Sequence, residues 1–191
     1  MKNFVKQILT VLFSILVFFI ASAQENTNES AELIASATVQ GALSITKDAD
    51  VSFGNISATT DGIVRLVPNG SSSSYVGSNA TTGKLTINGA GNASVLISYP
   101  AGVTLIANSS DQLAYSLHVY GHNEDIQSSS VQLTSEGVAS ENVIGSLDGT
   151  SGNYFIYVGG ALGGTIGAPA ALSNQAAGEY TGTVIFEVKY N

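Results

Sequence analysis

His118 and His122 are the only histidines, and their i, i+4 spacing is the first place to look for a metal ion. The surrounding "LAYSLHVYGHNED" alternates apolar and polar residues, so the pair falls on a strand. Four strand residues span roughly 13 Å, too far for one ion unless the chain turns at Gly121 and brings in Glu124 or Asp125. The simpler reading puts His118 on the solvent face, opposite Leu117 and Val119, and makes "GHNED" a polar loop. No metal site is expected.

Other chemistry-bearing patterns fail on spacing. Gly77 to Lys84, "GSNATTGK", has five residues between its glycines where a phosphate loop needs four, and Leu85 stands where a Mg²⁺-binding hydroxyl belongs. "GAGNAS" lacks the following helix that would aim its dipole at a pyrophosphate, and reads as a turn. Asp48 and Asp50, or Asp148 near Asn153, do not follow the ligand spacing of an EF-hand, and solvated turns account for them. A hydrolase needs a nucleophile beside an oriented base, whereas the serines cluster in Ser-rich loops with two histidines and no cysteine to serve them. The Asn-x-Ser/Thr triplets at Asn55, Asn69, Asn79, Asn92 and Asn108 arise from composition alone. The chain is therefore expected to be no enzyme and to need no cofactor. It has no tryptophan for a sugar platform, although Tyr75, Tyr120 and Tyr157 are possible substitutes.

The elements that would position any site come next. "MKNFVKQILTVLFSILVFFIASAQ" has Lys2 and Lys6, an apolar run from Ile8 to Ile20, and Ala21-Ser22-Ala23 before Gln24, the pattern of a cleaved export signal over residues 1–23. Its apolar core is shorter than the ~20 residues of a bilayer span, so no membrane span is expected in the mature chain. Without cysteine, the exported protein has no disulfide and relies on packing and ladder hydrogen bonds. Removing the leader leaves four basic residues (six minus two) against fourteen acidic ones, a formal charge of −10. That sign excludes nucleic acid as a natural partner. Few charges and abundant Gly, Ser, Thr, Asn and Ala point to many short strands joined by turns.

Residues 24–32, "QENTNESAE", read as a polar tail, and 33–191 as a single domain. Leu33, Ala35, Ala37 and Val39 share one face of a weak strand. "TKDAD" reads as a turn and "VSFGNI" as a short strand, followed by "GIVRLVP" and then a Ser/Gly-rich loop or loose hairpin around Tyr75-Val76. "KLTING", "SVLISYP" and "VTLIA" are compact strands separated by "AGN" and "PAG", turn chemistry that favours antiparallel neighbours. "LAYSLHVY" directs Leu113, Tyr115, Leu117 and Val119 inward. "SVQLTS" and "NYFIYVGG" follow, the latter apolar on both faces and hence central. "APAALSNQAAG" is the only helical-looking piece. Roughly ten such strands make an all-β antiparallel sandwich the expected architecture.

The closing stretch, Gly178 to Asn191, carries the clearest pattern. Tyr180, Val184, Phe186, Val188 and Tyr190 fall on one face of a strand, and Thr181, Thr183, Glu187, Lys189 and Asn191 on the other. Gly182 leaves a gap on the apolar face, suited to a bulge or a neighbouring backbone.

"LSITKDADVSFGNI", "GIVRLVPNG", "INGAGNASVLISYP", "YVGGAL" and "GEYTGTVIFEVKY" resemble, in order and spacing, the exported bacterial family called domain of unknown function 4402. That family is similar to spore coat protein U and to subunits of archaic chaperone-usher pili. The C-terminus also resembles that of chaperone-secreted pilins, with Tyr190 penultimate, Val188, Phe186 and Val184 alternating before it, and Gly178 fourteenth from the end. The resemblance implies an immunoglobulin-like, pilin-like sandwich that lacks one strand. A periplasmic chaperone, and then the extension of the next subunit delivered by an usher, fills the groove. Gly178, Tyr180, Val184, Phe186, Val188 and Tyr190 would form the recognition edge. Leu33, Ala35, Ala37 and Val39 would form the donor segment of a homo-polymer. The expected protein is exported to the periplasm, cell surface or medium and works structurally by strand addition. The alternative is a monomeric surface module that binds a glycan or another extracellular ligand.

Overall fold

The computed structural model describes Ser36 and residues 41–107, 111–173 and 175–191. Ser36 aside, these belong to one compact unit, Val39–Asn191. The predicted leader and tail, and Leu33, Ala35, Ala37 and Val39 of the predicted donor segment, lie outside the described residues.

Among the described residues ten strands form two antiparallel sheets, and the one helical element is a three-residue 3-10 turn at Gln127–Ser129. The expected all-β sandwich is the observed fold. The large sheet is centred on its two longest strands, β6 (Gln112–His122) and β9 (Asn153–Leu162), which pair from Tyr115↔Leu162 to His122↔Phe155. Outside β9 lie β3 (Gly83–Asn88) and then β1 (Ser44–Ala49), and outside β6 lies β5 (Gly102–Ile106). Two short strands complete it: β2 (Arg65–Leu66) continues the far flank of β9, and β7 (Val131–Gln132) the far flank of β6. The small sheet runs β10 (Glu187–Tyr190), β4 (Ser94–Tyr99), β8 (Ser140–Ser146).

The core follows from period two. On β4 the alternation buries Val95, Ile97 and Tyr99, while on β6 Leu113, Tyr115, Leu117 and Val119 point the same way as Ile156 and Val158 of β9. These side chains join one cluster between the sheets. At ~1.5–3 kcal/mol for each large apolar side chain removed from water, that cluster is the main stabilising term of a fold without disulfides. The central strands are also buried on their outer face, as the two-sided pattern of "NYFIYVGG" predicts. Val67, Tyr120 and Tyr157 form a second cluster there, flanked by Phe155. Loops roof this face. The Gln127 amide donates to the Pro68 carbonyl, the Tyr157 hydroxyl donates to Asp125 at 2.8 Å, and the Gly167 amide donates to Ser116 Oγ at 2.9 Å.

Several expectations are corrected. "TKDA" is not a turn but part of β1, paired with β3 through a bulge between Lys47 and Ala49. "VSFGNI" contributes only the bridge Ser52↔Thr81 before Gly54 turns at φ 69°. The turns "AGN" and "PAG" do not join sheet neighbours: β3 and β5 lie in the large sheet and β4 in the small one. Gly and Asn turns specify that the chain reverses, not whether it reverses within a sheet or across the sandwich. "SVQLTS" shrinks to Val131–Gln132, whereas β8 was not expected, since its burial is irregular and Ile144 faces solvent. "APAALSNQAAG" forms no helix among its described residues.

Candidate functional site

The predicted strand Tyr180 to Tyr190 is real in its faces and shorter in its ladder. Tyr180, Val184, Phe186, Val188 and Tyr190 are half-buried against the core, and the residues between them are exposed, Ile185 at 66%. Regular pairing covers only Glu187↔Ser98 to Tyr190↔Val95. Upstream, Thr181 pairs instead with Ile106 at the end of β5, through two backbone hydrogen bonds of 2.9 and 3.1 Å. The tail therefore starts on an edge strand of the large sheet and finishes on the small one, and residues 182–186 between them have no strand partner among the described residues.

Gly182 explains how the tail comes so close to β5. A methyl group there would lie 2.8 Å from Leu105 Cδ2 and 3.2 Å from the Thr104 carbonyl oxygen. Without a side chain the two backbones meet, which is the close approach that a glycine in a strand signals. Gly178 is exposed, its Cβ position 3.1 Å from Ala107 Cβ. Farther on, the Phe186 ring lies 5.3 Å from that of Tyr99, centroid to centroid, and fastens the tail to β4.

Tyr190 is committed within its own chain. Its hydroxyl accepts the Ala90 amide at 2.8 Å and donates to the Gly41 carbonyl at 2.9 Å, tying the β3–β4 turn to the residues that precede β1. Beyond β4, β10 has no second strand neighbour among the described residues. It presents a row of backbone donors and acceptors able to pair with an incoming strand. Glu187 and Lys189 project outward along that edge, the charges by which natural edges discourage indiscriminate pairing.

The histidines part company. His122, expected in a polar loop, is instead the last residue of β6, opposite Phe155, and the Glu124 amide of the turn that follows donates to its Nδ1 at 3.0 Å. His118, expected on a solvent face, is only 9% exposed. It does lie opposite Leu117 and Val119, but loops cover that face, and burial pushes its pKa below the usual histidine value. No group of three or more metal-ligating side chains occurs among the described residues. Of the other weighed carboxylates, Asp148 caps its own turn by accepting the Thr150 and Ser151 amides at 3.0 and 2.6 Å.

What the sequence did not disclose is that the tail changes sheets. Gly182 was the available signal: it suits a bulge or a neighbouring backbone, but does not say that the backbone is that of β5.

No curated protein and no solved structure matches this chain. The sequence model described as "Domain of unknown function (DUF4402)" matches residues 43–190, a range that takes in all ten strands from β1 to β10. The chain thus belongs to the DUF4402 family.

Proposed function

We propose that this is an exported, non-enzymatic structural protein, similar in role to a fimbrial subunit, that associates by adding a strand beside its closing segment. The observation that supports this reading is the tail itself. It holds an apolar face half-buried against the core, and among the described residues its ladder positions 187–190 are met on one side only, by β4, while 182–186 have no strand partner. An incoming extended segment would gain main-chain hydrogen bonds along this edge and would set its register by filling the spaces beside Val184, Phe186 and Val188. A periplasmic chaperone and usher are the partners this mode requires, and a second copy of the chain is the natural donor.

The test is periplasmic expression with and without a pilus chaperone, followed by sizing and negative-stain microscopy. Fibres, or chaperone complexes that dissolve on Phe186→Asp, are the expected result. A stable monomer that forms neither rejects strand addition and favours the competing reading of a self-complete surface module that binds an extracellular ligand.

A further inference from the structure

β10 is an edge of the small sheet, and the backbone groups of an antiparallel strand turn alternately to its two sides. The Asn191 amide donates to the Ser94 carbonyl at 3.0 Å, so Asn191, Lys189 and Glu187 direct their backbone groups at β4. On the far side of β4 the Leu147 amide donates to the Ala93 carbonyl, also at 3.0 Å. That bond assigns Ala93, Val95 and Ile97 to β8 and leaves Ser94, Leu96 and Ser98 for β10. Both ladders give the same phase. Val188 and Tyr190 therefore aim their N–H and C=O groups at the open side of the edge, where no strand of the described residues receives them. The side chains are sorted as sharply. Val188 and Tyr190 pack half-buried against the core, whereas Glu187 and Lys189 stand exposed on the outer face, two residues apart and opposite in sign.

This edge is complementary to itself. An antiparallel copy of β10 matches outward groups with outward groups only when even-numbered residues oppose even-numbered ones. The two-fold registers that keep β10 paired are then centred on Glu187, Val188 or Lys189. The first sets Glu187 against Glu187 of the second copy, and the last sets Lys189 against Lys189; like charges directly opposite are destabilising. Centring on Val188 instead sets Glu187 opposite Lys189 of the second copy, and Lys189 opposite its Glu187. Because 187 and 189 bond to β4, these pairs fall at the non-hydrogen-bonded sites of the new ladder. There Cα atoms approach to about 4.5 Å and side chains are closest.

We infer that β10 pairs with β10 of a second copy in a two-fold dimer centred on Val188, joining two three-stranded sheets into one. Val188 exchanges both backbone bonds with its counterpart, and Phe186 faces Tyr190 of the second copy on the inner side. The inference rests on the reading of β10 as an edge open to strand addition, and names what occupies that edge before a chaperone or donor strand does. A four-residue strand buries far less than the ~1,200 Å² of a standard interface, so the dimer is weak, with a dissociation constant of about 100 µM. Its ion pairs are exposed, so salt loosens it further.

Analytical ultracentrifugation of the exported chain at low salt, from about 10 to 500 µM, spans that constant. The wild-type chain should pass from monomer to dimer. Glu187→Lys and Lys189→Glu change exposed positions and leave the fold intact, but each sets like charges at both sites and should weaken dimerisation about tenfold or more. An equimolar mixture of the two variants should dimerise again, as should the double exchange, because both restore opposite charges. The Val188 and Tyr190 amides should exchange more slowly as the dimer forms. A wild-type chain that stays monomeric throughout overturns the inference. So do single variants that dimerise like the wild type, or a mixture no better than its components. A pilus chaperone added to the same samples separates two failures. Capture of a chain that does not pair with itself rejects the dimer alone, whereas neither capture nor dimer rejects strand addition as well.

Discussion

Phe186 offers the sharpest test of how the tail is held. Its ring is half-buried and stacked at a tilt against Tyr99, whereas its neighbour Ile185 is 66% exposed. A fully buried Phe→Ala change costs ~3–5 kcal/mol. Scaled for half-burial, and keeping the lost ring pair with Tyr99, Phe186→Ala should cost about 2–3 kcal/mol. In a domain of this size that lowers the melting temperature by roughly 4–12 °C. Ile185→Ala, which removes little from contact, should stay within about 0.5 kcal/mol. Phe186→Asp should exceed the alanine variant, because it places an unpaired charge against the core. Urea unfolding at neutral pH, read by tyrosine fluorescence and far-UV circular dichroism, measures all three. Comparable losses for Phe186→Ala and Ile185→Ala would mean that the faces of the tail are reversed, and the strand-addition geometry would fall with them.

Three further outcomes follow from the packing. Gly160→Ala should be the most damaging single methyl, costing more than about 3 kcal/mol, because its Cβ would lie 2.0 Å from the Ser116 carbonyl in the central β6–β9 ladder; expression yield and urea midpoint report it. Tyr190→Phe removes the hydrogen bonds to the part-buried Ala90 amide and the exposed Gly41 carbonyl and should cost about 0.5–1.5 kcal/mol by urea unfolding, with no change in secondary structure. For His118, burial lowers the folded pKa, opposed by Gln132 and the Glu136 carboxylate and reinforced by the Arg65 charge; Tyr120 is its other titratable neighbour. The unfolded chain therefore binds this proton more readily, so stability is complete above about pH 6.5 and declines as pH falls below it. His118→Phe should flatten that decline between about pH 7 and 5.5, and an unchanged slope would place the titration elsewhere.

The all-β class, the two-sided burial of β9 and the inward row Leu113 to Val119 were legible because period two and apolar composition directly encode which faces are covered. The faces of the tail were legible for the same reason. Its change of sheet was not, since alternation is identical whether Thr181 meets β5 or β4. Strand partners across "AGN" and "PAG" were unreadable because a turn carries no label for the sheet that follows it. The cluster of Arg65, Glu136 and His118 on the outer face was hidden differently. Arg65 is far in sequence from Gln132 and Glu136, and only the β2–β9–β6–β7 order, with Gly159 clearing the space between, brings it to them beside His118. The one available hint was a lone arginine between Val64 and Leu66 in an apolar strand.

The central claim is that partners pair with the backbone of the closing segment. Amide hydrogen exchange, compared between the isolated chain and its chaperone-bound or assembled form, addresses it residue by residue. The account predicts that amides from Thr183 to Tyr190 that do not point at β4 exchange freely in the isolated chain and slow by about tenfold or more on association, with β6 and β9 unchanged. Association that leaves these amides exchanging as before, with protection gained on another element, would contradict it.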